Sequence, residues 1–190
     1  MSDERHAGPE SGYQATDLEE DALASLGPRF LQALGLKEAG RVDDAEEALV
    51  AILKEEPRLP EPRMELARIH LDTERIDTAE EHARTALEHL ESGGQWTDML
   101  PEEVLLSVAH ALLAEILRRR LEEDAVIFGD PAEFKALLAE SKTHFARARE
   151  LDPTDETSSY YAFFLGPEGH GSKDEGGAAA QPTSDEPFEN

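Results

Sequence analysis

Shifted against itself by 34 residues, the sequence overlays residues 26–53 on residues 60–87 without a gap. Nine positions are then identical: Pro28/Pro62, Arg29/Arg63, Ala33/Ala67, Arg41/Arg75, Asp43/Asp77, Ala45/Ala79, Glu46/Glu80, Glu47/Glu81 and Leu53/Leu87. About two would coincide by chance in a chain of this composition. Val42/Ile76 is a conservative tenth. A repeat of this length is one supersecondary unit that cannot bury its apolar face alone, so the chain must stack such units around a continuous core.

The units read as helical, and no segment is a strand candidate. Pro28, Pro62, Pro101 and Pro131 each precede a run of good helix formers, which predicts helix starts there, because a proline at the first helical position gives up an amide proton that has no partner anyway. Residues 16–19, Thr-Asp-Leu-Glu, predict the cap of a short leading helix over 17–25, with Leu18, Ala22 and Leu23 as its apolar stripe and Gly27-Pro28 as its interruption. Residues 1–15 hold Tyr13 as their one large hydrophobe besides Met1, and residues 167–190 are rich in Gly, Pro, Ser, Ala and acid. Neither stretch buries enough to offset the entropy of ordering it, so both are expected to be disordered tails, with Phe188 the one residue that suggests a short motif.

The period and the residues that recur in it resemble the tetratricopeptide repeat family. That family's hairpin of two antiparallel helices needs small residues where the helix axes approach, and a helix-breaking proline at the end. The first unit offers Ala33, Gly40 in the turn, Ala45, Ile52 in place of a later alanine, and Pro57; the second offers Ala67, Ala79, Ala83, Ala86 and Leu87, with Glu91 where the proline is expected. Leu36, Leu49, Leu66 and Leu87 fill the space between. A third, distorted unit is marked by Phe145, Ala148 and Leu151-Asp152-Pro153, with Ser141 as its early small residue. Ala79 and Ser141 are 62 residues apart, so 28 residues are inserted: the linker 92–96, a long helix from 101 to about 123 and a loop around 127–130.

The resemblance implies an all-α, short solenoid of about seven helices over 16–166: repeats at 26–59 and 60–91, an elongated hairpin at 101–153, and a closing helix at 154–166, flanked by acidic tails. In this family the first helices of successive hairpins line a concave groove for peptides. Carried over position by position, the groove residues are Phe30, Leu34 and Lys37 in the first unit and Met64, Arg68 and Leu71 in the second; the alternative is that flanking helices cover them as core. The family's clamp on acidic C-termini relies on groove asparagines, and here the one asparagine is Asn190. A second candidate surface is the closing helix, where Tyr160, Phe163 and Phe164 fall on one face and Tyr161 and Leu165 on another, more than one neighbouring helix covers; it would serve a partner or a second copy of the chain.

The remaining chemistry points away from catalysis. A net charge of −25, from 43 acidic and 18 basic residues, repels nucleic acid and anionic bilayers and favours a basic or apolar protein or peptide as partner. There is no cysteine, hence no disulfide and no thiolate ligand or nucleophile. His82 and His89 are seven residues apart on one helix, about 10.5 Å along its axis and too far to share a metal ion, and His170-Gly-Ser172 lies in a tail that would not hold a base beside a nucleophile. Arg118, Arg119 and Arg120 form the one basic run, at a helix end where cations suit the dipole and with Glu122 and Glu123 following. With so many acids, no carboxylate pair stands out, and no phosphate-binding loop accompanies them. The N-terminus lacks the pattern of a signal peptide and no stretch reaches the length of a membrane span, so a cytoplasmic location is expected. The reading is a non-catalytic interaction module with no cofactor and no metal. Its alternatives are a chaperone-like holder of a hydrophobic or basic client and an accessory domain with hydrolytic activity.

Overall fold

The computed structural model describes residues 20–97 and 100–165, with side chains from Ser25 to Phe163. The candidate tails, the cap at 16–19, Phe188, and the Phe164 and Leu165 side chains lie outside the described residues. Within them are eight helices and no strand: α1 Glu20–Glu38, α2 Val42–Glu55, α3 Pro60–Asp72, α4 Ile76–Glu91, α5 Glu102–Arg120, α6 Asp124–Ile127, α7 Pro131–Leu151 and α8 Glu156–Leu165. Helices α1/α2, α3/α4 and α5/α7 pair as successive hairpins, and α8 packs on α7. The helix beyond the expected seven is α6, a single turn leading into the loop expected around 127–130.

The 34-residue period is visible in the backbone. Gly40 and Glu74, one period apart, both adopt left-handed φ, at 74° and 59°. Before them, the Ala39 and Thr73 amides donate to Gly35 and Ile69 carbonyls at 3.1 Å; after them, those of Arg41 and Arg75 donate to Leu36 and His70 at 2.9 and 2.8 Å. These bonds satisfy the carbonyls left open where a helix ends. Each turn then launches the next helix from an arginine, Arg41 at φ −87°, ψ 64° and Arg75 at φ −90°, ψ 64°. Ala45 and Ala79 follow at the same register, both fully buried. The third hairpin matches at its far end: α2 stops at Glu56 (φ −133°, ψ 95°) and α7 at Asp152 (φ −134°, ψ 91°), each before a proline that forces its predecessor to be extended. Where that proline is replaced by Glu91, α4 runs on and ends instead at Gly93, with φ 80°.

Two sequence expectations are corrected. Gly27-Pro28 does not interrupt a leading helix, because α1 is continuous through both. A proline ring clashes with the N–H and the Cβ of a helical residue before it, and Gly27 has no Cβ, which removes part of the obstacle at this one site. Nor does Pro28 mark a helix start, whereas Pro101 caps α5, Pro131 opens α7 and Pro62 lies in the first turn of α3, after Pro60.

Burial separates inner from outer helices. On α4 the buried residues Ile76, Ala79, Ala83, Ala86, Leu87 and Leu90 form a single stripe, as on a helix with one side in water. Helix α3 is buried nearly all round, from Pro60 to His70. Its Leu66 and Ile69 join Phe30, Ala33, Ala45, Leu49 and Ile52 in one core, while Met64 and Ala67 join the core of α4 and α5. Between α5 and α7 the packing is partly polar: the buried hydroxyls of Ser107 and Ser141 donate to the Ala148 and Ala114 carbonyls, both at 2.9 Å.

Candidate functional site

A repeated glutamate ties each outer helix to the following unit. Glu46 on α2 accepts two hydrogen bonds from Arg75, at 2.8 and 2.6 Å, and lies 3.1 Å from His70 Nε2. Its counterpart Glu80 on α4 accepts from Arg84 and from Arg120 at the end of α5, both at 2.8 Å. Arg75 holds the Glu46 carboxyl down to about 2, against the opposing effect of burial. The Glu46–Arg75 and Glu80–Arg120 pairs link one hairpin to the next. The arginine run is engaged in the same way: Arg118 pairs with Glu115 and Glu122, Arg119 with Glu74 and Glu122, and Arg120 with Asp77 and Glu80.

On the inner face two depressions follow one another. The first, of about 240 Å³, is walled by α1, α3, the start of α5 and the linker before it, and is lined by Phe30, Leu34, Met64, Leu100, Leu105 and Val108, with Glu61, Glu65, Arg68 and Thr97. The second, of about 430 Å³, lies where α3, α5, the end of α7 and the start of α8 meet; Val108, Ala111, Leu112 and Phe145 give its apolar part, and Glu115, Asp152 and Asp155 its charge. Arg68 and Val108 line both.

Of the six groove residues carried over from the sequence, the structure brings four together in the first depression: Phe30, Leu34, Met64 and Arg68. Phe30 and Met64 are buried, so each offers an edge rather than a whole side chain. Lys37 forms an ion pair with Glu65 that joins α1 to α3, and Leu71 packs against the α3–α4–α5 core. Neither lines the two depressions described.

Sequence reasoning missed the residues that close the first depression. Glu61, buried in the first turn of α3, accepts hydrogen bonds from the Trp96 and Thr97 amides at 3.1 and 2.7 Å and from the Thr97 hydroxyl at 3.1 Å. The Trp96 ring then rests on Phe30, 5.5 Å between centroids. This latch pulls the linker over α1 and α3. Burial raises the Glu61 pKa, partly offset by those donors. The available signal was the pair of prolines around Glu61: Pro60 and Pro62 lack amide protons, so an acid between them at a helix start must find donors elsewhere.

Tyr161 stacks on Phe145 at 4.8 Å and lies under Arg118 at 5.4 Å, whereas Tyr160 and Phe163 are 55% and 46% exposed. Four of the five described histidines pair across helices: His70 with His82, and His110 with His144, whose Nδ1 atoms are 2.9 Å apart. Among the described residues no group of three or more His, Cys, Asp or Glu side chains is arranged to hold a metal ion, and no helix is long and apolar enough to cross a membrane.

Stacked antiparallel hairpins with small residues at the crossings and a lined inner face define a short helical-repeat solenoid. Residues 36–97 match the family model described as tetratricopeptide repeat, so this part of the chain is a tetratricopeptide repeat region, running from the end of α1 to the latched linker. Repeats of this type are generally non-catalytic modules that bind protein partners. No curated protein matches the chain.

Proposed function

We propose that this chain is a non-catalytic adaptor or scaffold component whose inner face binds a segment of a partner polypeptide. The observation that carries the reading is the continuity of the two depressions through Arg68 and Val108, on the face built by the first helix of each hairpin. The mechanism is preorganisation: the Glu46 and Glu80 pairs and the Glu61 latch hold the surface in shape, so the ordering cost of binding falls on the ligand. Leu34 and Arg68 are its accessible groove residues. A Leu34→Glu/Arg68→Glu variant that keeps the helical content and melting temperature of the parent should lose capture of any partner found with the full chain. Retained capture in a folded variant would move the site elsewhere.

The exposure of Tyr160 and Phe163 favours a second surface, on α8, for a partner or for self-association. Sedimentation of the full chain against a Tyr160→Ser/Phe163→Ser variant tests it. Equal oligomeric state and equal partner capture would remove this surface from consideration.

A further inference from the structure

We infer that the groove is shaped for an amphipathic segment of a partner protein, with one large apolar side chain seated in the Phe30–Met64 depression and a lysine or arginine held at Asp152 and Asp155. This rests on the groove reading above and adds the chemistry of the ligand. Volume and lining assign the first half. At about 240 Å³ the depression is smaller than the roughly 300–1,000 Å³ of ordinary cofactor sites, and its walls are largely carbon, which suits a single aliphatic or aromatic side chain.

Charge assigns the second half, and not every acid in the groove counts. Glu65 is already paired with Lys37, and Glu115 is gripped by Arg118 at 2.7 Å through both oxygens. Asp152 and Asp155 differ: each accepts from a main-chain amide at 3.0 Å, Thr154 and Thr157 respectively, and neither forms an ion pair among the described residues. The hydrogen bonds from Thr154 hold the Asp152 carboxyl below its ordinary pKa, hence ionised. Two fixed, uncompensated carboxylates at one end of an apolar trough attract a cation and repel an acid. Arg68 stands between the two ends, 41% exposed at its side chain with Glu65 as a loose neighbour at 3.7 Å, where its guanidinium can donate to a peptide carbonyl and discourages a cation from the centre. The segment expected is therefore apolar at one end and basic at the other.

The test uses the full chain as bait for a random peptide library, then measures selected peptides by fluorescence anisotropy. Enrichment of a large apolar residue together with Lys or Arg is expected. An Asp152→Asn/Asp155→Asn variant keeps both amide acceptors and should weaken these peptides by about tenfold. A Glu47→Gln/Glu88→Gln variant, which removes as much charge from the outer helices, should leave them unchanged. Enrichment of acidic or uncharged peptides that Leu34→Glu/Arg68→Glu abolishes would overturn the basic-apolar assignment while leaving the groove as the site. Equal weakening by both neutralising variants would overturn it as well, by showing only diffuse attraction. Selected peptides that bind the Leu34→Glu/Arg68→Glu chain undiminished, or no selected peptide at all, would overturn the groove reading itself.

Discussion

Where α2 and α4 bury Ala45 and Ala79, α7 buries Ser141, and four residues further on Leu49 and Ala83 give way to Phe145. The first two hairpins are closed by contacts between small apolar side chains. The third is closed by direction: two serine hydroxyls donate to opposing main-chain carbonyls, the buried Phe145 packs beside them, and His110 and His144 face each other. The difference teaches that helix crossings can be specified either by absence of bulk, which tolerates many neighbours, or by hydrogen-bond partners, which fix one register. The inserted residues lengthen both helices of the third hairpin beyond the repeat, and its polar contacts keep that longer pair aligned.

The comparison breaks most readily at Phe145. Truncation to alanine removes a fully buried ring and its stacking with Tyr161, and should cost about 3–5 kcal/mol in denaturant unfolding. It should also expose α8 to protease before the first two hairpins. Simultaneous loss of all elements would show that the third hairpin is not separable in this way.

Acid gives a smaller and more selective effect. Burial, then the neighbouring His144 and Arg147, lowers the His110 pKa from 6.5 to about 4, and burial also lowers that of His144. Around the pair, Glu91 lies 3.9 Å from His110 Nε2, Glu140 lies 3.9 Å from His144 Nε2, and Arg84 binds Glu140. Because the folded state disfavours the charged imidazoles, the unfolded chain binds more protons below pH 6.5; stability is complete above that value and is lost as pH falls toward about 4. The loss should be on the order of 2 kcal/mol, moderated by the two glutamates. A His110→Leu/His144→Leu variant should flatten the slope of melting temperature between these limits. An unchanged slope would place the acid sensitivity elsewhere.

The smallest effect sharpens the likeness between the first two hairpins. Glu74 carries a left-handed φ that Gly40 supplies without strain at the equivalent turn. A Glu74→Gly change should therefore stabilise the chain by about 0.5 kcal/mol, read as a rise in melting temperature. A decrease would mean that the Glu74 side chain, 3.9 Å from Arg119, matters more than its backbone.

What could be read in advance follows from distance along the chain. The period revealed the two regular hairpins, the equivalence of Ala45 and Ala79, and Ser141 as their counterpart, because a repeated unit records its packing locally. Four residues carried over from the family resemblance, Phe30, Leu34, Met64 and Arg68, line the first depression. The passage of α1 through Pro28 was hidden, because proline is read as a boundary and the effect of Gly27 depends on an atom that is missing. Glu61 and its linker partners are 35 and 36 residues apart, and His110 and His144 are 34 apart, pairings that no spacing rule announces once an insertion has broken the period. The second depression needs α3, α5, α7 and α8 together, so only the assembled solenoid displays it.

Helix α3 hands Leu66 and Ile69 to one core and Met64 and Ala67 to the other, and so acts as a party wall. Neither of the first two hairpins can come loose without stripping one side of that wall, and a helix stripped on one side no longer buries enough to remain. Heat should thus take both down in a single concerted melt, although each is the product of its own copy of the repeat.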